Sequence, residues 1–130
     1  MEENLESLLL KTRVEVAPET FFLISLTHEA WLKLLENPEL SPRMSAPFMI
    51  FRDKWEVTML IDEIDFKTVH YAIRNAKTQG NFRLLSFDVE LNFETVGFLA
   101  KISKILAEAN VSIVALSAFS RDHLLDNFPK

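Results

Sequence analysis

With 130 residues, 48% hydrophobic and 25% charged, the chain has the balance of an ordinary globular protein, which excludes a mainly disordered one. Its formal net charge of -5, with Lys and Arg scattered, excludes a nucleic-acid grip, since that needs cations clustered on phosphates. The absence of cysteine excludes disulfides, thiolate metal sites and thiol catalysis.

The first residues, Met1-Glu2-Glu3-Asn4, are acidic where a signal peptide is basic. No apolar run approaches the ~20 residues of a membrane-spanning helix, so a cytoplasmic protein without a membrane partner is expected. From Leu8 to Val16, the alternation around Lys11, Arg13 and Val14 predicts a strand with one wet face. Ala17-Pro18-Glu19-Thr20 then reads as a turn, and Phe21 to Leu26 as a second strand pairing with the first in a hairpin. His28 to Leu35 suits a short helix ended by Asn37-Pro38. Phe48–Phe51 and Glu56–Ile61 read as strands joined by the polar turn Arg52-Asp53-Lys54.

Asp62 or Asp65 can cap a helix reaching about Lys77, with Phe66, Val69, Ile73 and Ala76 on one face and Gly80 as terminator. A strand is expected from Phe82 to Leu91. The clearest helix runs from Thr95 to Ala109, where Leu99, Ile102, Leu106 and Ala109 trace one stripe and Asn110 can close it in the left-handed conformation. Val111 to Phe119 is a nearly continuous apolar run that predicts a strand covered on both faces or at a sheet centre, and His123 to Leu125 a short last strand. Paired strands with two amphipathic helices on one side of an antiparallel sheet make an α+β sandwich of the ferredoxin-like kind.

Little in the chain points to catalysis. His28, His70 and His123 have no metal-ligand spacing, and no nucleophile elbow, phosphate loop or zinc-protease helix is present. Neither a metal nor another cofactor is therefore expected, and no catalytic residue is assigned. The acidic pair Asp62-Glu63 precedes a helix, where it suits the positive end of the helix dipole. The exception is Gly97, near the start of the clearest helix, where glycine costs ~1 kcal/mol against alanine. Either it allows close helix–sheet packing, or it lets a ligand carboxylate reach the free N–H groups of the helix start. Both roles are compatible.

Three stretches resemble the ACT domain family: Asn92-Phe93-Glu94-Thr95-Val96-Gly97-Phe98-Leu99-Ala100, Ile105 to Ile113, and Leu116-Ser117-Ala118-Phe119-Ser120-Arg121-Asp122-His123-Leu124-Leu125. The pattern is similar to small bacterial proteins with two ACT-like halves and to the tandem ACT regions of aspartate kinase and the CASTOR sensors. Asn110 stands where that family usually has glycine, and Ala118 and Arg121 replace its usual small polar residues.

The resemblance implies two intertwined ACT-like halves, residues 1–80 and 81–130, with the second half borrowing part of its sheet from the first or from a partner chain. It implies a regulatory, allosteric, non-enzymatic module that binds a small molecule, expected to be an amino acid, and forms a homodimer. The implied site comprises Asn92, Phe93, Glu94, Thr95, Val96 and Gly97 at the loop and helix start. It continues through Ser112, Ile113 and Val114 at the next strand, with Ser117 and Asp122 as side-chain contacts. Glu94 or Asp122 would pair with an ammonium group. The alternative is an ACT-fold protein-interaction or dimerisation module that binds no ligand.

Overall fold

The computed structural model describes residues 5–91 and 97–127. In chain order the elements are α1 (Leu5–Lys11), β1 (Arg13–Val16), β2 (Phe21–Leu26), α2 (His28–Leu35), β3 (Met49–Arg52), β4 (Val57–Asp62), α3 (Glu63–Val69), β5 (Lys77–Asp88), α4 (Phe98–Glu108), β6 (Ile113–Ser117) and β7 (Asp122–Asp126). Single 3-10 turns cover Pro38–Leu40 and His70–Ala72. These elements gather into two units: a middle unit of Glu19–Asn81, and a terminal unit joining residues up to Pro18 with those from Phe82 onward.

In the middle unit, the antiparallel order is β3-β4-β2, and β5 begins beside β2. Strand alternation sends Ile24, Leu26, Val57, Met59 and Ile61 to one face, where Leu34 of α2 and Val69 of α3 close over them. Two N-caps set the helix starts. Thr27 accepts from the Ala30 N–H (3.1 Å) and Asp62 from the Asp65 N–H (2.8 Å). Arg43 then bridges both buried carboxylates, Nη2 to Asp62 at 2.7 Å and Nε to Asp65 at 2.8 Å, which ties the 41–48 segment to α3. The two aspartates hold Arg43 above its ordinary pKa, first through the Asp65 hydrogen bond.

The terminal unit repeats this topology with its pieces permuted. β5 lies between β1 and β7, and β6 pairs only with β7, all antiparallel. Taking β5 as first strand, β6 and β7 are second and third, and β1, the first strand of the chain, serves as fourth. Phe87, Phe98 and Leu124 form the buried centre, with Leu5 and Leu9 of α1 and Leu99, Ile102 and Leu106 of α4 packed on it. Each unit is thus a ferredoxin-like α+β sandwich, an antiparallel sheet with two helices packed on its core face.

Several expectations are corrected. Leu5–Lys11 is helix, and Arg13–Val16 pairs with β5, not with β2 in a hairpin. The halves read from sequence, 1–80 and 81–130, assign residues 1–18 to the first, whereas the pairing partners of β1 are Leu85 to Asp88. The helix expected to reach Lys77 stops at Val69, because the chain tightens into a 3-10 turn and Asn75 adopts φ 66°. β6 is a sheet edge and not a centre; β7 takes the central place between β5 and β6. Asn110 does take the left-handed conformation, φ 61°.

Gly80 terminates no helix; it lies inside β5, where a Cβ would overlap the Phe22 ring. That ring stacks on Phe66, centroids 4.3 Å apart, and cannot give way freely. Gly80→Ala is therefore expected to destabilise the protein by about 1–3 kcal/mol. In a Phe22→Ala background the same change should cost much less, a coupling measurable by urea denaturation of the double-mutant cycle.

Candidate functional site

Four residues form the tip of the β6–β7 hairpin, Ala118, Phe119, Ser120 and Arg121, closed by the Ala118 N–H donating to the Arg121 carbonyl at 2.9 Å. Below the tip, Ser117 and Asp122 face each other across the strands, and the Ser117 hydroxyl donates to Asp122 Oδ1 at 2.8 Å. Their side chains share the face of Leu124, and so point toward α4. The Leu91 N–H donates to the Ser120 carbonyl at 2.7 Å, holding the end of the β5 connection against the tip. Arg121 is drawn to Asp88, Nε to Oδ1 at 3.1 Å.

Opposite the hairpin, α4 begins. Gly97 occupies its N-cap position at φ 88°, a left-handed conformation that side-chain-bearing residues rarely adopt. An added Cβ would meet only Leu5 Cδ2, at an ordinary 3.5 Å, so backbone conformation and not close packing demands the glycine. The first intrahelical bond at this end is Lys101 N–H to the Gly97 carbonyl. The N–H groups of Phe98, Leu99 and Ala100 precede it, and Gly97 has no side chain with which to cap them. Hairpin and helix start enclose an open cleft of about 310 Å³, bordered by Leu91, Gly97, Phe98, Ser117, Phe119 and Asp122 among others.

The structure thus brings together Gly97, Ser117 and Asp122 of the residues expected from sequence. Asn92, Phe93, Glu94, Thr95 and Val96 lie outside the described residues. Ser112, Ile113 and Val114 do not border the cleft: Ile113 pairs with Asp126 at the far end of β6, roughly 13 Å along the strand from Ser117, and packs in the core. The hairpin tip was not expected as lining. Its signal was the polar pair Ser120-Arg121 interrupting an apolar run.

Among the described residues bordering the cleft, the ionisable ones, Arg121 and Asp122, sum to zero charge. Backbone donors on one side and a carboxylate on the other suit a small zwitterion, its carboxylate at the helix start and its ammonium toward Asp122. Nearby, Ser86 Oγ and His123 Nδ1 lie 2.8 Å apart. They are register partners on the face opposite Phe87 and Leu124. The pair makes a cross-strand side-chain contact between β5 and β7. Among the described residues, no group of three or more His, Asp or Glu is placed to hold a metal ion.

Residues 77–125 match the ACT domain family. No curated protein matches the sequence. The fold is similar to a Vibrio cholerae protein described as of unknown function and a possible transport protein, with 19% identity, TM-score 0.65, and 94% of this chain and 84% of that one covered. It is also similar to the regulatory subunit of aspartate kinase from Thermus flavus, with 10% identity, TM-score 0.61, and coverage of 87% and 86%. Clostridium acetobutylicum aspartate kinase matches at 15% identity and TM-score 0.63 over 87% of this chain, which spans 30% of that enzyme. At such identities the likeness establishes the fold. No helix in the described residues is long and apolar enough to cross a membrane.

Burial lowers the pKa of His123 from its ordinary value; Asp122 opposes the shift and Arg121 adds to it. A base whose folded pKa is depressed stays neutral in the fold while the unfolded chain takes up a proton, so its contribution to stability is lost as pH falls below about 6.5. Denaturant melts at pH 7.5 and 5.5 should show a smaller loss on acidification for His123→Gln than for the natural chain.

Proposed function

We propose that the chain is a regulatory ACT module that binds a small zwitterion, an amino acid, in the cleft of the terminal unit. The observation that carries this reading is the start of α4: a left-handed glycine offers no capping side chain, and Gly97 to Ala100 line the same cleft as the hydrogen-bonded Ser117–Asp122 pair. The ACT match over residues 77–125 covers β6, β7 and α4, the elements that build the cleft. The aspartate kinase relatives are regulatory subunits in name, and the same kind of role is inferred for this chain. The module is not an enzyme in this reading. It works in the cytoplasm as a homodimer, and the ligand acts by favouring one arrangement of the assembly or of a protein partner.

A second reading has its own observation. Val14 and Val16 stand on the edge strand β1 with about half of each side chain exposed, and Phe119 at the hairpin tip is 84% exposed. These residues suit a protein-interaction module that binds no ligand.

A thermal-shift screen of the standard amino acids separates the two. A ligand at one hundred times its Kd stabilises by about 2.7 kcal/mol, a shift of several degrees. Gly97→Leu and Asp122→Ala should each remove that shift, and Asp122→Ala should do so with little loss of intrinsic stability. A full screen without any shift, together with sedimentation indifferent to amino acids, would favour the interaction module.

A further inference from the structure

The middle unit holds a larger cleft, about 630 Å³, well inside the range of roughly 300–1,000 Å³ typical of small-molecule pockets. It occupies the same topological place as the first, between the first strand–helix junction of its unit and the hairpin of the second and third strands. Its chemistry is different. Three cations border it from two parts of the unit: Lys33 in the last turn of α2, and Arg74 and Lys77 on either side of the left-handed Asn75. None of the three makes an ion pair with a described residue, although the chain carries 19 acidic residues against 14 basic ones. The acids on the lining are Glu29 and Glu56, leaving its formal charge positive. Glu56 is already committed: its carboxylate accepts the Ser25 hydroxyl, and its N–H is held by Asp53 Oδ1 at 2.8 Å. Trp55 and Tyr71, 77% and 84% exposed, stand at the rim as aromatic walls.

We infer that this cleft is a second ligand site, independent of the first, for a small organic anion that places a carboxylate or phosphate among Lys33, Arg74 and Lys77. Free cations converging on a concave surface of an acidic protein set up a local positive potential that selects anions against the surrounding field. Arg74 supplies planar, two-pronged donors and the lysines point charges. An aromatic wall accommodates a planar or aliphatic anion body. The α2 start contributes no open donor for Ala30, whose N–H is taken by Thr27, so the anion is held by side chains.

The test titrates succinate, glutamate and inorganic phosphate separately into the full-length protein at fixed ionic strength, by calorimetry and by tryptophan emission. Saturable binding of at least one probe with a change in emission is expected, and Trp55→Phe should keep the heat while losing that change. Whether carboxylates or phosphate bind identifies which group the site takes. Arg74→Gln with Lys77→Gln should weaken binding by roughly tenfold or more without moving the melting temperature, since both side chains are exposed, whereas Lys77→Arg should bind nearly normally. Asp122→Ala, which disables the first cleft, should leave this binding intact, so each proposal can fail alone. No saturation by any probe, or binding indifferent to the Arg74/Lys77 pair, would overturn the inference.

Discussion

The terminal unit depends on one backbone requirement: the far edge of β5 must be paired. Leu85 to Asp88 meet β7 partners on one side over part of their length and β1 on the other, where Arg13↔Asp88 and Val16↔Leu85 close the register. Without β1 a row of amide and carbonyl groups beside a hydrophobic face would be left as an open edge, costly when buried and adhesive when exposed. The chain meets this need with its own opening residues. The same segment brings α1, whose Leu5 and Leu9 complete the packing around Phe87, Phe98 and Leu124. Residues from 82 onward therefore cannot make a whole sandwich by themselves, and the ACT match over 77–125 covers only part of the unit it belongs to.

The two units share a topology, and one place where they differ is the start of the first helix. In the middle unit Thr27 caps α2 and satisfies the Ala30 N–H. In the terminal unit Gly97 stands at the corresponding position with no side chain to offer. The capped start gains about 1 kcal/mol of helix stability and gives up a ready anion site; the uncapped start does the reverse. Together with the cations Lys33, Arg74 and Lys77 on one lining only, that difference gives two clefts of like position different chemistry. In the readings proposed above, one cleft takes a zwitterion through backbone donors and Asp122, the other an anion through Lys33, Arg74 and Lys77.

Local physics made some elements legible from sequence. α4 shows in the spacing of Leu99, Ile102 and Leu106, and the Asn110 stop follows from asparagine's tolerance of positive φ. The Asp62 cap was readable for the same reason. What escaped was non-local. Leu8, Leu9 and Leu10 are an apolar run that fits strand or helix equally, and only packing on the terminal core decides for helix. The partner of Arg13 is Asp88, a separation no hairpin rule reaches. Gly80 looks like punctuation because glycine often is; its reason is the Phe22 ring, visible only in three dimensions. In the candidate site, Gly97, Ser117 and Asp122 were legible, whereas Ser112 to Val114 were assigned by likeness and lie a strand length away.

The closure of the terminal unit also bears on how a ligand could act. The atom nearest a Cβ placed on Gly97 belongs to Leu5, so the start of α4 rests against the first turn of α1. The cleft itself is bordered by Leu91, the α4 start and the β6–β7 hairpin, so α1 and β1 bear on it through the Leu5 contact and the pairing of β1 with β5. By linkage, a ligand that bound the closed unit better than one with this segment undocked would stabilise the docking by that difference in binding free energy, and undocking would weaken its binding equally. The β1–β5 ladder and the Leu5 contact are thus the joints through which the opening segment and the candidate cleft can be coupled.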